Sequence, residues 1–360
     1  MRFPEFSGEW NKYTINDLAT VVGGGTPDTT VKSYWGGDIQ WFTPSEIGKN
    51  KYVDFSKRTI TRDGLDNSSA KLLPLHTILL SSRATVGECS IASNECTTNQ
   101  GFQSLIAKQC NIDFLYYLIQ TKKKDLIRNA CGSTFLEISA NEIRKIKVAV
   151  PVQNEQKQIA KLLSLIDERI ATQNKIIEKL QSLIKGLAAQ LTQSGTPNIR
   201  LCDCLECHSS TLQENCVSVT GSYPVYGATG LIGYTNNYAY NGESILIVKD
   251  GSGVGSLSYV NDHFSVIGTL NYLTAKENYS ILYLYYALMA FNFTPYITGM
   301  AIPHIYFKDY GKAKLFYPSI EKRIRIASLL HNIEQKLVVE QNLVISLSAQ
   351  KSYLLRMLFI

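Results

Sequence analysis

The sequence predicts an α+β protein in which two similar globular α/β domains are separated by a long antiparallel two-helix coiled coil, in a pseudo-two-fold internal repeat. Three observations predict it. At 360 residues the chain exceeds one typical domain of roughly 100–200 residues, so two cores are expected. It is 45% hydrophobic and 18% charged, a balance that excludes a disordered chain. A segment starting at Pro151 returns at Pro318, an offset of 167 residues that holds without a gap through Leu191 and Leu358. The limits that follow are 1–150 and 195–317 for the globular domains and 151–194 and 318–360 for the helices.

The two copies justify the helices. Ile159-Ala160 matches Ile326-Ala327, Leu162-Leu163 matches Leu329-Leu330, and Ile166-Asp167 matches Ile333-Glu334. In the first copy Ile159, Leu163, Ile166, Ile170, Ile177, Leu180, Ile184, Leu187 and Leu191 alternate in steps of four and three, with Gln173 taking one turn. The second gives Ile326, Leu330, Ile333, Leu337, Val344, Leu347, Leu354 and Leu358, with Glu340 opposite Gln173 and Lys351 as a further exception. Each is a heptad seam that needs another helix to cover it. About 40 residues at ~1.5 Å each make a rod of roughly 60 Å. A domain of ~120 residues, with a radius of gyration near 14 Å, is too small to carry the chain back along such a rod, so the pair is expected to be antiparallel. Gln173 and Glu340 then meet near the midpoints, where a polar pair fixes register at some cost in stability.

The domains repeat more loosely. Gly132-Ser133-Thr134-Phe135-Leu136-Glu137-Ile138 aligns with Gly299-Met300-Ala301-Ile302-Pro303-His304-Ile305, and Ile15-Asn16-Asp17-Leu18 with Leu201-Cys202-Asp203-Cys204. Phe114 to Leu118 and Leu282 to Tyr286 read as amphipathic helices, and Ile78-Leu79-Leu80 and Ile245 to Val248 as buried strands before a turn. Cys202, Cys204, Cys207, His208 and Cys216 invite a zinc reading. The spacing Cys-x-Cys-x2-Cys-His is not that of common structural sites, and Asn16, Leu18, Val21 and Val22 hold the first four positions in the first repeat. Buried thiols are favoured and no metal is assigned. Gly251-Ser252-Gly253-Val254-Gly255 lacks the Lys-Ser/Thr of a phosphate loop and reads as a strand-to-strand turn. No catalytic constellation emerges, so the chain is not read as an enzyme.

No apolar stretch approaches the ~18–20 residues of a membrane helix, and Met1 to Glu5 leads into no signal-peptide core, so a cytoplasmic protein with reduced cysteines is expected. The net charge of +6 divides as +3, +2, −2 and +3 over the four segments, and none is strongly basic. A nucleic-acid binder of this kind shares its grip on phosphates with a partner. Candidate DNA-facing residues in the first domain are Lys49, Lys51, Arg58, Arg62, Arg83, Lys122, Lys123, Lys124 and Arg128 for phosphates. Asn99, Gln100, Ser133, Thr134, Lys249, Ser252 and His304 are candidates for base edges.

Taken in order, Trp10 with Asp17-Leu18, Gly24-Gly25-Thr26-Pro27, Tyr34 to Trp41, the Ile78 to Gly87 strand and turn, Asn99-Gln100-Gly101-Phe102, Pro151 with Glu155-Gln156 and Ile159-Ala160, and Tyr223 to Tyr234 resemble the specificity subunits of Type I restriction-modification systems over nearly the whole length. The resemblance implies two target-recognition domains, each reading half of a split, asymmetric double-stranded DNA sequence. It also implies conserved helices that space the domains and dock two methyltransferase subunits and, through them, restriction subunits. S-adenosylmethionine, ATP and magnesium would then belong to the partners, and this chain would need no cofactor. The alternatives are a nuclease or methyltransferase carrying its own recognition domains, or a coiled-coil adaptor for proteins only. Glu155-Gln156 becomes Lys322-Arg323 in the second repeat. If that end of the helix docks a partner, the two docking surfaces are expected to differ.

Overall fold

The computed structural model describes residues 2–132 and 135–359. The described residues fall into two compact units, one up to Gln173 together with those from Leu343 onward, and one of Asn174–Asn342.

In the first unit, the strand Asn11–Thr14 pairs antiparallel with Lys147–Val150, tying the domain's entry to its exit. Between them a five-stranded sheet has the order Ala19–Gly23, Gln103–Ala107, Ile78–Leu80, Cys89–Ala92, Tyr52–Val53, and a three-stranded sheet the order Arg58–Ile60, Trp35–Phe42, Cys96–Thr98. The apolar runs at 78–80 and 89–92 are buried on both faces, because alternate side chains of a strand enter different cores. Ile78, Leu80, Cys89 and Ile91 pack with Phe114, Leu115 and Leu118 of the helix Ile112–Thr121, whereas Leu79 and Ala92 pack with Phe42, Leu73 and Phe102. Asn111 starts that helix by accepting from the Phe114 amide at 2.9 Å.

The second unit repeats the plan. Ile199–Arg200 pairs with Lys314–Leu315, and the six-stranded sheet runs Leu205–Ser209, Leu270–Ala275, Tyr240–Val248, Leu257–Val266, Tyr223–Gly227, Gly230–Thr235. Ile245 and Ile247 pack with Tyr283, Leu284 and Tyr286 of the helix Ile281–Met289, while Leu246 and Val248 face Val225 and Phe264. The turn at Gly251–Gly255 joins two strands, as its sequence predicts.

The long helices are Gln153–Thr192 and Ile320–Leu358. In the first unit the start of the first helix lies beside the end of the second: Leu358 shares a core with Ile159, Ala160 and Leu163, and Lys351 Nζ is 2.7 Å from Asp167 Oδ1. In the second unit the end of the first helix meets the start of the second, where Leu187, Ala188 and Leu191 pack with Ile326, Ala327 and Leu330. The helices are therefore antiparallel. Of the seam, Ile159, Leu163, Ile166, Gln173, Ile184, Ile326, Leu330, Glu340, Leu347 and Leu358 are buried, and Ile170, Ile177, Leu180, Ile333, Leu337 and Val344 half-buried.

Each domain is fastened to a long helix by tyrosines that donate to one carboxylate. Tyr117 Oη lies 2.7 Å from Asp167 Oδ2 in the first unit. Tyr285 and Tyr286 reach the two oxygens of Glu334 at 2.8 and 2.7 Å in the second. Burial, then the neighbouring carboxylate, pushes all three phenols well above the ordinary tyrosine range, so they remain protonated donors.

One expectation is corrected here. Lys51 does not face outward: its ammonium pairs with Asp113 at 2.7 Å, bonds Ser164 at 2.6 Å and lies 4.9 Å from the Tyr117 ring, so it fastens the domain to the helix. Glu155, where the two repeats differ, is drawn inside. It is fully buried, gripped by Arg2 through two 2.7 Å bonds and by the Trp10 indole at 3.4 Å. Residues 199–318 carry no such arm before them, and the matching Lys322 is exposed and bonds Ser194. Gln156 and Arg323 differ in charge but do one job, each donating to the proline carbonyl five residues earlier, at 2.9 and 2.7 Å.

Changing Tyr285 and Tyr286 together to Phe is expected to destabilise the second unit by about 2–4 kcal/mol, since bonds to a charged acceptor contribute ~1.5–3 kcal/mol each and Glu334 would be left without these donors. Adding Glu334→Leu should recover part of the loss. Hydrogen exchange over Ile281–Met289 reads this out, and unchanged protection in the double Phe variant would contradict the fastening role.

Candidate nucleic-acid interface

At one end of each main sheet, three backbone bonds hold three loops side by side, and the bonds repeat. In the first unit the Ser82 amide donates to Gly101 O (2.8 Å), Ile138 to Ser82 O (2.9 Å) and Ala84 to Leu136 O (3.1 Å). In the second, Lys249 donates to Thr269 O (3.0 Å), Ile305 to Lys249 O (2.9 Å) and Gly251 to Pro303 O (2.9 Å). Every partner is displaced by 167 residues except the acceptor pair Gly101 and Thr269, displaced by one more. Gly132 and Gly299 start the last loop of each set at φ +128° and +90°, and a Cβ at either would stand 2.2 Å from the carbonyl oxygen of Phe135 or Ile302. No other residue type fits there.

On this common frame the first unit places Arg83, whose Nε lies 3.8 Å from Glu137, with Asn99 and the exposed Gln100. The Asn99 side chain accepts from the Gly101 amide at 2.9 Å, and the Gln100 side chain bonds Thr26. Gly24 lets its loop slide against this turn, because a Cβ there would sit 2.0 Å from Asn99 O. Lys123 packs over Gly87 and pairs with Glu88. Ser133 and Thr134 lie outside the described residues. In the second unit Lys249, the exposed Ser252 and His304 share the corresponding frame. Tyr306 stands beside them, 5.0 Å from the His304 ring and with Lys308 Nζ 5.1 Å over its own.

The remaining basic candidates do not join this group in one way. Arg58, on the three-stranded sheet, is exposed, and its guanidinium stacks 3.5 Å from the Trp35 ring centroid and 5.5 Å from that of Trp41. The two indoles meet edge to face at 5.0 Å, and each is fixed by its N–H, Trp35 to Asp28 O (3.1 Å) and Trp41 to Gly25 O (2.9 Å). A stacked guanidinium presents its fork already oriented. Arg62 instead lies among carboxylates, 3.3 Å from Asp66 and lining a cleft with Asp38 and Glu95, a poor setting for phosphate. Lys49 and Lys124 are exposed, Lys122 is half-buried, and Arg128 pairs with Asp125 at 3.4 Å.

Where the first unit has the three-stranded sheet, the second has the hairpin Tyr223–Gly227 with Gly230–Thr235, and a cluster of Tyr223, Tyr238 and His263 with ring centroids 4.6–5.6 Å apart. The frame is shared and the inserted segments are not. Sequence reading named no role for Trp35, Tyr238 or the exposed apolar loop residues Phe135 and Ile302; the Tyr34 to Trp41 segment carried a signal for the first and the repeat alignment for the last two. Among the described residues no group of three or more His, Cys, Asp or Glu is placed to hold a metal ion. In the cysteine cluster, burial pushes the Cys204 thiol up to about 12 and that of Cys207 to about 11, which disfavours the thiolates a metal needs.

Known proteins share this organisation. A family model described as Type I restriction modification DNA specificity domain matches residues 7–182 and 199–347. The Type I restriction enzyme MjaIX specificity subunit of Methanocaldococcus jannaschii is 39% identical over 183 residues, which cover 48% of this chain and 42% of that protein. The EcoprrI specificity subunit of Escherichia coli is 25% identical over 359 residues, covering 91% of this chain and 87% of the relative. The match thus spans less than half of the MjaIX subunit and most of the EcoprrI subunit. The Type-I restriction-modification S subunit from M. genitalium has the same fold, with a TM-score of 0.66 at 19% identity over 100% of this chain and 99% of that one. A chain from a structure described as showing complex assembly and conformational transition of the type I R-M system gives 0.57 at 13% identity, over 98% of each. With both halves of the sequence matched by its model, the chain belongs to the Type I restriction-modification DNA specificity family.

Proposed function

We propose that this chain is the DNA-reading subunit of a cytoplasmic Type I restriction-modification complex. It performs no catalysis of its own and reads an asymmetric, bipartite double-stranded target, one half with each unit. A single observation carries this reading: the same three-bond loop frame stands at the end of both sheets, while the side chains and inserted segments around it differ. A duplicated frame with different contents suits two readers of two different half-sites. The antiparallel helices then serve as the common mount, and their solvent-facing sides receive two methyltransferase subunits. S-adenosylmethionine, ATP and magnesium are the business of those subunits and of the restriction subunits they bring. The modest charge of +6 fits a reader whose affinity is shared with partners.

Within the first unit Arg58 is the best-prepared base or phosphate contact, because Trp35 holds its guanidinium flat. Bidentate contacts of this kind contribute ~1–3 kcal/mol of discrimination.

Exchanging residues 1–150 for the corresponding domain of another family member, in a host that supplies the partners, should change one half of the target seen by base-resolution methylation mapping. A change in both halves, or in neither, would contradict the one-unit, one-half reading. Arg58→Ala should weaken binding of the mapped duplex roughly tenfold and relax only the half read by the first unit. Arg58→Lys should rescue little, because it restores the charge without the fork. Equal effects on both half-sites would count against this placement.

A further inference from the structure

The loop that begins at Gly132 and at Gly299 presents apolar side chains to solvent at matching positions. Phe135 is 60% exposed and Ile302, its equivalent at the 167-residue offset, is 66% exposed. Met300 beside it is fully exposed, and Leu136 is 42% exposed. Exposing such residues is unfavourable, and one exposed leucine on a surface needs no account. An apolar residue at the same loop position in both units does, above all on loops whose other residues have diverged. The described residues that flank each loop are also held in place. Cys131 and Glu137 bridge as an antiparallel pair, as do Thr298 and His304, and the frame bonds from Ala84 and Gly251 tie each loop to the neighbouring turn. Each loop has a cationic residue beside it: Arg83 on the adjacent turn, 3.8 Å from Glu137, in the first unit, and in the second Lys249, whose carbonyl accepts from Ile305, with Lys308 over the Tyr306 ring. An exposed apolar side chain at one position of two repeated loops, with cationic residues beside it, is the chemistry of a side chain that enters a stack of bases while its neighbours hold the phosphates.

We infer that Phe135 in the first unit, and Ile302 with Met300 in the second, insert between adjacent base pairs of their half-sites and unstack one step in each. This rests on the DNA-reading function proposed above. Sequence preference then comes partly from how readily a step unstacks, which is why residues without hydrogen-bonding groups contribute to target choice.

The test uses the complex of this chain with its methyltransferase subunits and the duplex found by methylation mapping. 2-Aminopurine replaces purines one at a time at every position other than the methylated adenines. Binding is followed by anisotropy and unstacking by 2-aminopurine fluorescence. A several-fold rise at one step in each half-site is expected. Phe135→Ala should abolish the rise in one half-site only and weaken binding roughly tenfold, the loss of one stacking contact. Ile302→Ala with Met300→Ala should abolish it only in the other. Phe135→Leu, which keeps the apolar volume, should retain most of the signal, and this rescue separates insertion from a folding role. If the complex binds the duplex but no step brightens, or brightening survives both alanine variants, the insertion is wrong and the reading function stands. Loss of methyltransferase co-purification in the alanine variants with unstacking unchanged would make these loops protein-docking elements and overturn the inference. If the complex shows no preference for the mapped duplex over scrambled DNA, it is the reading function that fails.

Discussion

One carboxylate on each long helix, Asp167 and Glu334, decides how each domain is carried. Each accepts from tyrosines of the helix that backs its domain's sheet, Tyr117 on one side and Tyr285 with Tyr286 on the other. The sheet, its covering helix and the long helix are thereby fixed to one another within each unit, and the loops at the sheet's end inherit that position. Charge is balanced differently in the two units. Asp167 also pairs with Lys351 from the second long helix, with Lys51 close by on Tyr117, whereas Glu334 receives two phenols. A buried or half-buried carboxylate needs such donors, because desolvating it without partners costs more than any packing gain nearby.

The duplication separates what must stay from what can change. The three frame bonds, the glycines at 132 and 299 and the closing two-stranded ribbons are backbone features, indifferent to most side chains. Built on them are segments that share nothing: a tryptophan-lined three-stranded sheet carrying Arg58 in one unit, and a tyrosine-rich hairpin in the other. Reading surfaces can diverge without disturbing the mount, because the residues that fasten each domain are not those that fill its loops.

Much of this was legible in the sequence, for physical reasons that can be named. The seam from Ile159 to Leu191 and from Ile326 to Leu358 was readable because a coiled coil imposes a strict period, and the buried runs at 78–80 and 245–248 because strands covered on both faces lose their polar alternation. The three-stranded sheet was not readable: Arg58–Ile60 and Cys96–Thr98 are three residues each, too short for a pattern, and are joined through strands distant in sequence. Charge alone misled at Lys51, whose partner Asp113 lies 62 residues away, and nothing in the sequence pairs Glu155 with Arg2, 153 residues away. Polar loop residues were read as candidates, and apolar ones such as Phe135 were passed over, because exposure is a tertiary property.

On the proposed function, the loop frames of the two units face different halves of one DNA target. A photoreactive benzoylphenylalanine placed at Gln100 in the first unit or at Ser252 in the second, in the assembled complex on its mapped duplex, tests this directly. Crosslinks from position 100 should fall in one half-site and those from position 252 in the other. Crosslinks from both positions to the same half, or to the spacer between them, would contradict this placement.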